Sequence, residues 1–346
     1  MKSRKCWLDG LRAAAACAVV LMHTLTGVVD IMNTGQYRDG EQMLVVMDLV
    51  TWCVPVFLMI SGYLFLDPER QISLGRMLKK YCLRIGLALL VFGIPFSVLE
   101  LVLKEQTVRL GMLWDGLVMV LTMQSWSHLW YLYVILLLYI LTPGIKWVLA
   151  KMPGVAFGVV MLVLAAGSSI MPFVNLLLDD RVLWVLPDGM IYLFYYLMGY
   201  ALQGGVQSDD LRTAGHKRAQ HILGTIISIL IGGMVCSRLF GGWQLQMAYN
   251  YPPTVILSVA LMLFAQKCQW KGAFFEKAVL SLAKLSFTVY LVHPVFLNLL
   301  YKALDFAPQE YPLLLWLPGV SIVVLGLSVV SAVILHRIKP LKKYVL

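Results

Sequence analysis

Charged side chains are scarce in this sequence, and acidic ones most of all. They make up 13% of the 346 residues, with 18 Asp and Glu against 28 Lys and Arg. A soluble domain carries about 25% charged and about 45–50% apolar residues, whereas 60% of this chain is hydrophobic. Because one soluble core cannot bury that excess, the composition excludes a soluble globular enzyme and favours a protein of the lipid bilayer.

Cysteine is also sparse, and it lacks the spacing of a metal site. The six cysteines form no C-x-x-C pair and lie mostly in apolar runs, where cysteine acts as a small hydrophobic residue. We therefore expect neither a disulfide framework nor a bound metal. The Walker A, G-x-S-x-G and H-E-x-x-H sequences are absent too, which excludes a pump driven by nucleotide hydrolysis within this chain.

Long apolar runs, in contrast, occur ten times. A helix needs about 20 predominantly apolar residues to cross the hydrocarbon core. The runs predict an all-α polytopic integral membrane protein, a bundle of about ten transmembrane helices that forms one domain over residues 1–346, with no soluble domain. The predicted spans are Leu11–Val28, Met43–Leu66, Tyr81–Leu103, Leu129–Leu149, Gly154–Phe173, Leu183–Gln203, Ile222–Leu239, Tyr251–Gln266, Ser281–Ala303 and Leu313–His336.

The distribution of Lys and Arg supports this topology. With a cytoplasmic N-terminus, ten spans place 21 of the 28 on inner connectors and span ends and six outside, as the positive-inside rule requires. The segment Leu110–Thr122, with Asp115 in its middle, is too short to cross and is predicted to be an interfacial or re-entrant helix. Because the positive charges lie in short connectors, no nucleic-acid partner is expected despite the net charge of +10.

The first predicted helix carries Arg12 and His23 among alanines. A charge near a helix centre costs about 2.5–3.5 kcal/mol on insertion scales, so we expect this helix inside the bundle. Eleven residues correspond to about three turns and a rise of about 16 Å, which places both side chains on one face at different depths. Spacing alone leaves open whether the pair is functional, or whether Arg12 snorkels and His23 is a core histidine.

The ninth predicted helix offers Tyr290 and His293 on one face. His293 lies twelve residues from the inner end of its span, and His23 lies twelve residues from the inner end of the first. The two imidazoles are therefore at similar depth, and we expect them to meet. Asp48 matches this depth on the second span and is a weaker candidate partner for His23, with a place at the outer interface as the alternative.

Two polar stretches remain at span ends. Ser61 and Gly62 follow Pro55 near the inner end of the second span, where a loosened backbone either binds a ligand or simply kinks. His128 and Trp130 open the fourth span at the outer interface, which taken alone indicates an aromatic belt.

Four motifs follow one another along the chain. They are Arg12-x10-His23, Val54-Pro55-Val56-Phe57-Leu58-Met59-Ile60-Ser61-Gly62-Tyr63, His128-Leu129-Trp130-Tyr131-Leu132 and Leu285-Ser286-Phe287-Thr288-Val289-Tyr290-Leu291-Val292-His293. Together they resemble the bacterial acyltransferase-3 family of integral membrane O-acyltransferases, over essentially the whole chain. The resemblance implies an acyl-CoA-dependent enzyme of the bacterial cytoplasmic membrane. It would most simply be an O-acetyltransferase that modifies a hydroxyl of an envelope glycan or of a lipid-linked precursor.

The resemblance also implies site residues. It ties Arg12 and His23 to activity, and it makes Tyr290 and His293 catalytic candidates that orient His23 or polarise the thioester carbonyl. Arg12 would hold the phosphates of coenzyme A. Further contacts to this donor are expected from Ser61, Gly62, Arg76, Lys79 and Lys80. Acyl-CoA is then a substrate and no cofactor is bound permanently; the expected partners are membrane lipid, acyl-CoA and the glycan or lipid-linked sugar.

A different class of function stays open at this point. A secondary transporter of a small polar solute such as serine is the alternative, because a related membrane module is linked to serine uptake. Transport would make Arg12 and His23 coupling or gating residues and would need no thioester. The sequence does not determine the acyl group, the acceptor, the choice between direct transfer and an acyl-enzyme relay, or the oligomeric state.

Both termini are predicted to be cytoplasmic, because the asymmetry of Lys and Arg requires it. A periplasmic reporter enzyme fused after Leu346 should therefore be inactive. The connector that holds Asp179, Asp180 and Arg181 should react with a membrane-impermeant reagent added outside, and the connector that holds Lys79 and Lys80 should not. An active reporter at Leu346 would contradict the ten-span topology.

Overall fold

The computed structural model describes residues 6–32, 40–178, 184–203, 214–240, 247–268 and 273–346. These residues are mostly helical, and none of them lies in a β-strand. A π-helical turn, Leu299–Ala303, directly follows the eleventh helix. In chain order the helices are α1 (Cys6–Met32), α2 (Gly40–Val50), α3 (Cys53–Phe65), α4 (Leu74–Glu105), α5 (Met112–Leu121), α6 (Trp130–Lys151), α7 (Gly154–Leu177), α8 (Met190–Ala201), α9 (Ala214–Phe240), α10 (Pro252–Lys267), α11 (Ala273–Asn298), α12 (Leu313–Leu335) and α13 (Lys339–Tyr344).

The helices in the described part of the chain are those of a polytopic membrane protein, as the composition predicts. Eight helical segments there are long and apolar enough to cross a membrane. The two other predicted spans contain α8 and α10, which have only 12 and 16 residues. The count of ten and the orientation therefore stay predictions. The connector with Asp179, Asp180 and Arg181 lies outside the described residues.

Two predicted spans differ from the observed helices. The sixth was expected to start at Leu183, but α8 starts at Met190, because Trp184–Pro187 is not helical and a turn at Asp188 and Gly189 precedes the helix. The second span, Gln42–Phe65, was expected to have a backbone loosened by Pro55, and its helix is interrupted at Thr51 and Trp52, between α2 and α3. Pro55 explains the break, since it lacks the N–H that would bond to the carbonyl of Thr51.

The contacts divide the chain into two compact units, of which the first comprises Met1–Asp67 and Pro153–Val329. Within it α1 packs against α2, α3, α10 and α11. The α3 and α8 backbones approach especially closely: a Cβ atom at Gly62 would overlap the carbonyl oxygen of Tyr196, and one at Gly199 would overlap that of Met59. Small residues permit such close packing between membrane helices, where the hydrophobic effect does not hold helices together.

The second unit comprises Pro68–Met152 and Val330–Leu346. Its central helix is α4, which contacts α5, α6 and α13. The short helix expected within Leu110–Thr122 is α5, and it packs along α4. At the end of α4 that was predicted to be cytoplasmic, the Arg84 Nε–H donates to the carbonyl of Val345 at 3.3 Å, which attaches the C-terminal residues to this helix.

Substitution of Gly62 tests the contact between α3 and α8. Gly62→Ala should lower the stability of the detergent-solubilised protein by about 1–3 kcal/mol, because the backbones must separate to admit the methyl group. Gly158→Ala on α7 is the matched control, since its Cβ would meet no atom within 4 Å. Thermal unfolding of both variants measures the difference. Equal melting temperatures would contradict the packing role of Gly62.

Candidate active site

The structure brings His23 on α1 and His293 on α11 together. Their ring centroids lie 5.1 Å apart, with the ring planes tilted by 47°. The meeting follows from the packing of α1 against α11, and it agrees with the similar depths expected from the sequence. The Tyr290 ring lies 6.2 Å from that of His293, so three of the four predicted catalytic side chains form one cluster.

The hydrogen bonds of the two histidines differ. His293 is completely buried, and its Nδ1 lies 3.1 Å from the carbonyl oxygen of Val289. Because a carbonyl only accepts, Nδ1 carries the hydrogen, and the lone pair of the neutral ring is at Nε2. His23 is only partly buried, and the Thr26 hydroxyl lies 3.5 Å from its Nδ1. His293 is thus held in one tautomer, while His23 is the more accessible of the two.

Tyr301 supports the turn of α1 that carries His23, and sequence reasoning missed it. This tyrosine is buried in the π-helical turn after α11, and its hydroxyl donates to the carbonyl of Thr24 at 3.1 Å. Its ring lies against Gly27, where a Cβ would come within 3.1 Å of it. Its spacing could have indicated this role, since Tyr301 follows His293 by eight residues, about two helical turns, and so lies on the same face of a continuing helix.

Arg12 lies on α1 at a different depth from the histidine cluster, with a rise of about 16 Å between it and His23. Its Nη1 is 3.7 Å from Oδ1 of Asp9, one turn earlier on the same helix. The Asp9 side chain is 7% exposed and that of Arg12 is 30% exposed. A nearly buried carboxylate therefore compensates and positions a guanidinium that still reaches the surface. Asp9 was missed from the sequence, although its i, i+3 spacing to Arg12 was visible.

The predicted donor contacts fall into two groups. Ser61 and Gly62 lie on α3 in the first unit; Ser61 is half-buried, and the Cα of Gly62 faces the carbonyl of Tyr196. The structure thus shows a packing role for Gly62, while its role in donor binding stays a prediction. The other three, Arg76, Lys79 and Lys80, lie in the first turns of α4 in the second unit, and all three side chains are exposed.

Cationic residues lie close to Tyr81 in those first turns of α4. The Lys80 ammonium lies 5.7 Å from the centre of the Tyr81 ring, and Arg70 Nη2 donates to the Tyr81 hydroxyl at 3.0 Å. The ammonium of Lys146 on α6 donates to the carbonyl of Arg70 at 2.6 Å. Lys80 is exposed and Arg70 and Lys146 are half-buried, and a group of cations of this density suits an anionic group such as a phosphate.

Asp48 and His128 are both buried. Asp48 is 1% exposed, and its Oδ1 accepts the backbone N–H of Met247 at 2.8 Å, so the carboxylate holds the segment before α10. Its expected pairing with His23 stays a prediction. His128 packs beside Phe96 and Trp126, with ring centroids 5.9 and 6.2 Å away. No group of three potential metal-ligating side chains occurs among the described residues.

Comparison with known proteins identifies the family. The sequence profile described as an acyltransferase domain, acyltransferase-3, matches residues 6–333. The chain belongs to the acyltransferase-3 family. No curated protein and no solved structure matches the sequence. The match confirms the resemblance predicted from the four motifs, and it shows that the protein is a membrane acyltransferase in general terms.

The geometry of this acyltransferase-3 protein separates two chemical capacities along one helix. An imidazole pair can accept and donate a proton during acyl transfer. The Arg12 guanidinium, about 16 Å away along α1, can bind an anion by charge-assisted hydrogen bonds. The transporter alternative gains no support from the family match.

Proposed function

We propose that the protein transfers an acyl group, most simply acetyl, from acyl-CoA to a hydroxyl of an envelope glycan or of a lipid-linked sugar. The transfer would take place in the bacterial cytoplasmic membrane, with the donor on the cytoplasmic side. The observation that supports this most directly is the contact between His23 on α1 and His293 on α11, because α1 also carries Arg12.

His23 acts as the general base in this proposal. Its imidazole takes the proton from the acceptor hydroxyl, and the hydroxyl oxygen then attacks the carbonyl carbon of the thioester. The C–S bond breaks, coenzyme A leaves as the thiolate, and the imidazolium returns the proton to that sulfur. His293, held by its Nδ1–H bond to Val289, orients His23, and Tyr290 completes the polar surroundings of the carbonyl. A relay through acyl-His23 would use the same residue as nucleophile.

Arg12 binds the donor at its anionic end. Coenzyme A carries its phosphates and its thioester at opposite ends of a long arm, so a guanidinium and an imidazole separated by about 16 Å on one helix face match its two ends. Asp9 keeps the guanidinium in place. Ser61, Gly62, Arg76, Lys79 and Lys80 are proposed as further donor contacts.

Radiolabelled acetyl-CoA supplied to the cytoplasmic face of vesicles tests the reaction. Label should appear in glycan or lipid-linked sugar, and in protein if an acyl-histidine forms. His23→Ala should reduce transfer by at least about 10²–10⁴-fold, the range of general acid–base groups, while acetyl-CoA still binds. His221→Ala, which changes an exposed histidine on α9, is the control and should transfer at the wild-type rate. Wild-type transfer by folded His23→Ala protein would refute the assignment.

Arg12→Lys separates donor binding from chemistry. The substitution keeps a positive charge but loses the two-pronged guanidinium, so the apparent KM for acetyl-CoA should rise more than kcat falls. Arg109→Lys is the control, because Arg109 is exposed and pairs with Glu105 and Asp115. Steady-state kinetics with varied acetyl-CoA measure the effect. A fall in kcat at unchanged KM would contradict the proposed role of Arg12 in donor binding.

A further inference from the structure

The α5 helix runs back along α4 instead of leaving it. At the tip of this hairpin, Arg109 pairs with Glu105 at 3.3 Å. Further along, a Cβ at Gly116 would lie 3.2 Å from the carbonyl oxygen of Ile94, and a Cβ at Gly93 would lie 2.8 Å from Val120. The two helices are therefore antiparallel over Gly93–Glu105, a rise of about 18 Å.

The segment Thr122–His128, which joins α5 to α6, consequently lies beside the middle of α4. The Ser125 hydroxyl donates to the carbonyl of Gly93 at 3.2 Å and accepts from the Ser97 hydroxyl at 2.8 Å. Gly93 is nine residues beyond Arg84 and seven before Glu100, with no charged residue between those two. Along the helix these separations are about 14 Å and about 10 Å. Because a hydrocarbon core is about 30 Å thick, this uncharged stretch of α4 would place Gly93 inside it, and the fourth predicted span would then begin within the membrane and not at its outer interface.

Polar backbone at that depth needs partners that lipid cannot supply. The helical pattern ends at Thr122, and Met123 has a left-handed backbone with φ of 61°. Thr122, Gln124 and Ser127 are exposed on the protein surface. Within a bilayer, non-helical backbone is tolerated only where protein buries it or where it borders a water-filled cavity. Exposure excludes the first case for these three residues and leaves the second.

We infer that Thr122–His128 borders a water-filled cleft inside the membrane that admits an uncharged, polyhydroxylated ligand, a sugar. No Asp, Glu, Lys or Arg occurs from Gly116 to Ile145, so this wall of the cleft does not suit the phosphates of coenzyme A. The inference rests on the proposed function in one respect: if the protein is an O-acyltransferase, the sugar in this cleft is the acceptor whose hydroxyl is acylated.

The side chains of the segment suit a sugar. Phe96 and Trp126 are stacked, with ring centroids 4.4 Å apart and planes 12° from parallel, so the buried Phe96 covers one face of the half-buried indole. The other face of the indole is a flat apolar surface of the kind on which sugar rings pack. Hydroxyl and amide groups of Ser127 and Gln124 are exposed beside it. The indole Nε1–H of Trp126 is buried and finds no hydrogen-bond acceptor among the described residues, so a ligand or a water molecule would satisfy it.

Cysteine labelling tests the cleft without any need for acyl transfer. Ser127→Cys and Gln124→Cys would be treated in intact cells with a membrane-impermeant thiol reagent, and labelling at the new site would be quantified by peptide mass spectrometry, because Cys236 is also exposed. Val91→Cys, an exposed position on α4 near the same depth, is the negative control, and Val108→Cys at the hairpin tip is the positive control.

The expected order is labelling at 108, 127 and 124, severalfold faster than at 91. If 91 reacts as fast as 127, this half of α4 lies outside the membrane and the inference is overturned. If neither 127 nor 124 reacts while 108 does, the segment borders no water and the inference is equally overturned.

A protection experiment tests the class of ligand. Glucose, galactose and N-acetylglucosamine would be added to the Ser127→Cys protein, purified in a detergent without a sugar headgroup, with coenzyme A as the anionic comparison. At least one sugar should slow labelling at 127 severalfold and leave that of Val108→Cys unchanged. Protection by coenzyme A alone, or by none of these compounds, overturns the sugar assignment. Either result is independent of the acetyl-CoA assay, so failure of this inference and failure of the proposed function can be told apart.

Discussion

Hydrocarbon neither donates nor accepts a hydrogen bond, and the placement of polar groups in this protein follows from that constraint. Buried hydroxyls at Thr24, Thr51, Thr142, Ser258 and Ser328 all donate to the carbonyl four residues earlier. Such local bonds satisfy isolated hydroxyls. The ionisable side chains of His23, His293 and Asp48 instead contact groups on other elements of the fold.

The candidate active site is one result of such contacts. The first helix is weakly hydrophobic and buries Ala13, Ala15 and Ala16, so neighbouring helices approach it closely. The approach of α11 brings His293 against His23, and Tyr301 then anchors the same stretch of α1 through Thr24. Near the start of α1, Asp9 compensates Arg12. A helix that would insert poorly alone is thus stabilised by the neighbours that also form the candidate site.

Glycine determines where the remaining helices can approach. Gly62 and Gly199 bring the α3 and α8 backbones together, and Gly93 and Gly116 do the same for α4 and α5. In the second case the close contact turns a short apolar helix back along its neighbour and places a polar segment beside the middle of α4. These glycines have ordinary helical backbone angles, and their role is to lack a side chain where two helices come into close contact.

The sequence by itself determined that this is a membrane protein, which family it belongs to, and that the two histidines lie at similar depths along their helices. Composition and run length depend on single residues and their spacing, and depth follows from the rise of a helix, so no tertiary information was needed for these. Partners were a different matter. Periodicity indicates that a face is buried but not what covers it, and for that reason Asp9, Tyr301 and the packing of Gly62 became visible only in the structure. The late start of α8 at Met190 likewise depended on a turn inside an apolar run, whereas Pro55 had already indicated a loosened backbone in the second span. Only the tertiary structure decided that α5 packs back along α4, because a ten-residue apolar helix has the same composition whether it lies at an interface or re-enters the membrane.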